Sequence, residues 1–189
     1  MKSINWRSVA CVALVLVAPF ARADRYTDTI ALFRHAGQTA DFFRTSYGYA
    51  VFPTIGKGGF IVGAAHGDGR VYRQGRYIGD TSMTQLSVGF QLGGQAYSEM
   101  VFFKDAAALE RFESGKYAFS ADVSAVALTA SASATAGTTG ATAGASGTET
   151  HATAAGVYQD GVAVFTIAKG GLMYQAAVAG QKFSFKPAH

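Results

Sequence analysis

Two periodicities divide this chain, and the change falls near Tyr47. Before it, Ile30, Phe33, Ala40 and Phe43 recur at spacings of three or seven, with Leu32, Ala36 and Phe42 widening the stripe. Arg34, Gln38, Asp41 and Thr45 make the opposite, polar stripe. This pattern predicts an amphipathic helix over residues 25–46, packed on a core or touching a membrane. Gly37 interrupts it, at about 1 kcal/mol relative to alanine.

Beyond Tyr47 the pattern is that of strands and tight turns. Tyr49-Ala50-Val51-Phe52 predicts a short buried strand closed by Pro53, with a glycine corner at Gly56-Lys57-Gly58-Gly59. Residues 60–65 resume as a strand, Gly67-Asp68-Gly69 reads as a turn, and Gln74-Gly75 as another before Arg76-Tyr77-Ile78. A long strand signal from Leu86 to Phe103 slips at Gly93-Gly94, which predicts a bulge or bend. Asp105 should cap a short helix near residues 105–114. Residues 118–155 are rich in small side chains, and a flexible segment is expected near 130–152 between structured ends. Strand pattern returns at Val162–Ile167, followed by a Lys169-Gly170-Gly171 turn, a run from Leu172 to Ala179, and Phe183 and Phe185. The fold class expected is α+β and β-rich: an antiparallel sheet or barrel-like body with an N-terminal amphipathic helix.

The first 23 residues change the charge account. Lys2 and Arg7 precede an apolar run from Val9 to Ala18, and Ala21-Arg22-Ala23 is an A-x-A cleavage site. Residues 1–23 therefore read as a cleaved signal peptide, and 24–189 as one domain. The run is shorter than the roughly 20 residues of a membrane-spanning helix. Lipidation at Cys11 fits less well, because the apolar run follows the cysteine. The whole chain carries a formal charge of +4, but residues 24–189 hold 13 basic and 12 acidic side chains. That near-neutrality argues against a nucleic-acid partner. The only cysteine and the only tryptophan, Cys11 and Trp6, lie in the leader, so disulfides and thiolate chemistry are excluded from the processed chain. The destination expected is the periplasm, the cell envelope or the medium.

No catalytic constellation emerges. The Gly56–Gly59 corner lacks the spacing and the Ser/Thr of a phosphate loop. His35, His66, His151 and His189 are scattered, and His66 with Asp68 lacks a third metal ligand. No serine occupies a G-x-S-x-G elbow, and Glu110 and Glu113 read as a solvated pair. A non-enzyme without metal or cofactor is expected. Positive charge gathers in residues 24–76, where seven basic side chains meet four acidic ones. Arg34, Arg44, Lys57, Arg70, Arg73 and Arg76 are candidates there for anionic headgroups, although strand parity separates Arg70 from Arg73.

The order of motifs resembles a known family. Tyr49-Ala50-Val51-Phe52-Pro53, Gly56-Lys57-Gly58-Gly59-Phe60, Val62-Gly63, Gly67-Asp68-Gly69, Ser87-Val88-Gly89-Phe90-Gln91-Leu92-Gly93-Gly94 and Lys169-Gly170-Gly171-Leu172 follow one another in the chain. Together, from about Thr29 to Gly180, they resemble the SYLF domain. Two departures stand out: Ile78–Ser82 replaces the family's Trp-Pro element, and the small-residue stretch is expanded. The resemblance implies a non-catalytic lipid-binding domain, with phosphoinositides and actin as eukaryotic ligands. Actin does not suit an exported chain, so lipid contact alone carries over. Lys57, Lys169 and nearby arginines would then meet lipid phosphates, and aromatics such as Phe33, Phe60 or Tyr72 the acyl boundary. A small outer-membrane barrel and an envelope protein-interaction module are the alternatives.

Overall fold

The computed structural model describes residues 24–58, 62–88, 95–120, 123–128, 158–169 and 178–188. Helix α1 (Arg25–His35) starts where the Asp24 side chain accepts the Tyr26 N–H, and it buries Tyr26, Thr29 and Phe33. The single helix expected over 25–46 is broken in two. Thr39 turns its hydroxyl back onto the carbonyls of Phe33 and Ala36, ending α1, and α2 (Ala40–Thr45) restarts after the Gly37 turn. Such side-chain capture of helix-end carbonyls competes with continuation of the helix.

The sheet has seven strands: β1 (Gly48–Gly58), β2 (Val62–Arg73), β3 (Arg76–Val88), β4 (Gln95–Phe103), β5 (Ala125–Leu128), β6 (Val162–Lys169) and β7 (Lys182–Pro187), in the order β5-β6-β4-β1-β2-β3-β7. It is mixed, not wholly antiparallel, because β5 runs parallel to β6. Nor does it close into a barrel. Instead, after α3 (Ala106–Glu113) the chain bridges the β7 edge at Ala118 and reaches β6 at the far end through β5. Asp105 caps α3 by accepting the Ala108 N–H at 2.9 Å, as the sequence predicts.

Each face of the sheet has its own core. The inner face carries Ala50, Phe52, Val101, Phe103 and Val164 under Leu109 and Phe112 of α3 and Phe119 of the crossing segment. The outer face carries Tyr49, Val51, Met100, Phe102 and Phe165 under Phe33 of α1 and Phe42 of α2. Phe33 is therefore fully buried and presents nothing to a membrane.

Several turns expected from glycine are strand interior. Gly67-Asp68-Gly69 lies in the middle of β2. Glycine is needed there for close packing: a Cβ on Gly67 would come within 2.6 Å of Ile55, and one on Gly69 within 2.6 Å of the Phe52 ring. The Gln74-Gly75 turn is real, with positive φ at both residues, as a two-residue hairpin of the right twist demands. Gly93-Gly94, Phe60, residues 130–152 and most of the run after Lys169 lie outside the described residues.

Candidate functional site

Pro53 does not end β1. It lies beside a β-bulge, where Val51 to Thr54 spans only Arg70 to Asp68 on β2, and Phe52 to Ile55 only Glu99 to Tyr97 on β4. A bulge lets a residue without an N–H sit in a central strand, and it inverts the alternation beyond it. Ser98 fixes the distortion by donating to the Pro53 carbonyl at 2.8 Å. Ile55 thus turns inward and Thr54 outward. Lys57 follows Ile55 inward and is only 6% exposed.

Lys169 follows Ile167 along β6 and lies on the outer face, where its Nζ donates to Thr54 Oγ1 at 2.7 Å. The two lysines named together from sequence therefore lie on opposite sides of the sheet. They do not share one headgroup.

The arginines are divided as well. Arg44 pairs with Asp41 at 2.8 Å, and Arg73 reaches Glu113 of α3 at 2.7 Å on the inner side. Arg70, on the outer side, pairs with Asp24, lies 4.0 Å from Asp80, and covers the Tyr26 ring at 4.1 Å. Arg34 covers Phe43 at 5.1 Å, and Arg76 is exposed beside the hairpin turn. Exposed ion pairs contribute little stability, but each carboxylate cancels the charge a phosphate would seek. Tyr72 is half-buried and stacked on Tyr49, with ring centroids 5.1 Å apart. His66 and Asp68 are 3.7 Å apart on exposed side chains, and no group of three metal-ligating residues occurs among the described residues.

Sequence reasoning passed over Arg25. At the first turn of α1 it lies close enough to Lys169 for the two charges to repel. Burial lowers the pKa of Lys169, and that repulsion lowers it further. Neither side chain forms an ion pair among the described residues; Arg25 approaches the Tyr26 hydroxyl at 3.4 Å and lies 5.2 Å from its ring centroid. β1 and β6 thus bring a hydroxyl and an ammonium together, within the field of the guanidinium at the positive end of α1. Arg25 also lines an open cleft of about 710 Å³ with Asp24, Tyr26, Asp68, Arg70 and Asp80; its carboxylates outnumber its guanidiniums, so the cleft itself does not favour an anion. Only the fold could reveal the pairing, since Arg25 and Lys169 stand near opposite ends of the described chain.

A second polar group lies within the inner core. Glu99 and Gln181 are fully buried, Tyr97 almost so, and Gln85 is 5% exposed. Gln181 Nε2 donates to Glu99 Oε2 at 3.0 Å and to the Tyr97 hydroxyl at 3.2 Å. Gln85 Nε2 donates to the Ala179 carbonyl at 2.9 Å. Burial pushes the pKa of Glu99 up to about 8, against a smaller lowering by the Gln181 hydrogen bond.

Set against known proteins, the chain matches no family model and no curated protein. Among the described residues no helix is long and apolar enough to cross a membrane.

Proposed function

We propose that the protein is a non-catalytic, exported lipid-binding domain of the SYLF kind, and that Lys169 and Arg25 hold an anionic headgroup on the outer face. The observation that carries this reading is Lys169, exposed on the outer face with its Nζ donating to Thr54 Oγ1 and with no acidic partner among the described residues. Arg25, at the first turn of α1, lowers the pKa of Lys169 through its charge, and an oxyanion bound at Lys169 would offset that repulsion. Thr54 already accepts from Lys169, so its own proton is available to an oxygen of the same anion. The motif order from Tyr49 to Leu172 supports the family assignment, and the leader supports export. The barrel alternative fits poorly with an open sheet whose outer face exposes His66, Asp68 and Thr84, where a lipid-facing girdle would be apolar.

Flotation with phosphatidylglycerol and with phosphatidylcholine vesicles tests the proposal. The protein should float with the anionic vesicles alone. Arg25→Glu/Lys169→Glu should weaken that binding about 30-fold or more, since each cation near an anionic surface contributes about 1 kcal/mol. Its melting temperature should stay unchanged. No flotation with either vesicle rejects lipid binding, and undiminished binding by the double variant removes these two residues from the site.

A further inference from the structure

We propose that Glu99 and Gln181 form a protonated acid–amide pair that latches the C-terminal segment, residues 178–188, onto β4 and loosens as that proton is lost. The hydrogen bonds of the pair are half made. Gln181 Nε2 serves Glu99 Oε2, while Glu99 Oε1 and Gln181 Oε1, both buried, have no partner among the described residues. Two unpartnered acceptors on the same two side chains are what a single missing proton leaves behind. With the proton on Glu99 Oε1, its O–H donates to Gln181 Oε1, and acid and amide are joined at two points. Without it, a buried anion faces a carbonyl oxygen, at a desolvation cost that unmakes the contact.

Burial favours the neutral acid, whereas Lys57, a cation turned toward the same core, would oppose it. On its own rung Glu99 has Phe52 of β1 on one side and Thr166 of β6 on the other. Tyr97 faces it along β4 and Gln181 from the C-terminal segment, with Lys57 farther along β1, Gln85 on β3 and Tyr117 on the crossing segment. The raised pKa of Glu99 agrees with this arrangement.

Gln181 is well placed to act as a latch. Its N–H donates to the Val178 carbonyl and its own carbonyl accepts the Phe119 N–H, so its side chain anchors a short tight turn. That turn leads into β7, the end strand of the sheet, and Gln85 grips the same turn at Ala179. Opening this segment would release the Glu99 proton to solvent. The folded pKa lies above the ordinary value, so the latch is tightest below about pH 4.5 and weakens up to about pH 8, above which it changes no further.

Hydrogen exchange of the Gly180, Gln181 and Phe183 amides, corrected for intrinsic rates, reads this directly. In the parent protein their opening constant should rise by up to about tenfold per pH unit between pH 5 and pH 8. Glu99→Gln retains a two-point amide pair without a titrating proton, and its profile should be flat. Carbon-13 titration should place the Glu99 carboxyl far above the ordinary glutamate range. A midpoint near 4.5, identical profiles in parent and variant, or exchange of these amides only together with the β1–β4 core would each overturn the latch.

Discussion

Glu99→Gln should be more stable than the parent at pH 8 and nearly equal to it at pH 4. The sign follows from linkage. Glu99 is fully buried, and burial raises its pKa from 4.5 to about 8. Below pH 4.5 the carboxyl is protonated whether the chain is folded or not, so the full stability is present. Between pH 4.5 and 8 the unfolded chain releases a proton that the folded chain retains, and stability falls by about 1.4 kcal/mol per pH unit. Across the whole window the loss is on the order of 3–5 kcal/mol, a large share of the ordinary stability of a domain. Glutamine has no proton to lose and keeps both hydrogen bonds to Gln181. Urea denaturation at pH 4.5, 6 and 8 would show the parent's midpoint sliding downward while the variant's stays in place. A parent midpoint independent of pH, or a variant weaker than the parent at pH 8, would contradict this account of the buried acid.

The second large effect is expected at Phe102. Its ring is fully buried, with centroids 5.5 Å from Phe42, 4.9 Å from Phe43 and 5.8 Å from Phe165, so one side chain of β4 joins α2 to the sheet. Phe102→Ala should cost about 3–5 kcal/mol, the usual range for truncating a buried aromatic residue. The loss falls on the outer core, whose cover of α1 and α2 is thin. Exchange protection should therefore drop further in α1 than in α3, which packs on the other face. Anionic vesicle binding should weaken too, because Arg25 is held near Lys169 only while α1 stays docked. Equal loss of protection in α1 and α3, or full vesicle binding by a variant whose α1 has come free, would separate the outer core from the site.

Local chemistry was legible wherever one residue decides one element. Asp105 announces α3 through its own side chain, and Gln74-Gly75 announces a hairpin through its backbone preferences. The two-faced strands were legible for the same reason: Tyr49 and Val51 turn one way, and Ala50 and Phe52 the other. Glycine was misleading in β2. Gly67 and Gly69 satisfy the criteria for a turn, yet they make room for Ile55 and Phe52 on the neighbouring strand, a demand that no local window contains. The break between α1 and α2 was half legible, since Gly37 marks the weak point while the Thr39 hydroxyl ends the helix.

The amino-acid sequence alone determined a β-rich domain with a helix at its start and another after Asp105, because periodicity and capping act over a few residues. It also determined which side chains carry positive charge. Which of them meet was left to tertiary structure. One bulge beside Pro53 reverses the alternation of β1, taking Lys57 into the inner core and leaving Thr54 outside to meet Lys169. The charge of Arg25 is felt at Lys169 only because the outer core fixes α1 on the sheet. Glu99 looks like any charged strand residue until Phe52, Thr166 and Gln181 enclose it and burial makes its neutral form the stable one. Charge is a property of a residue; solvation and neighbours belong to the fold.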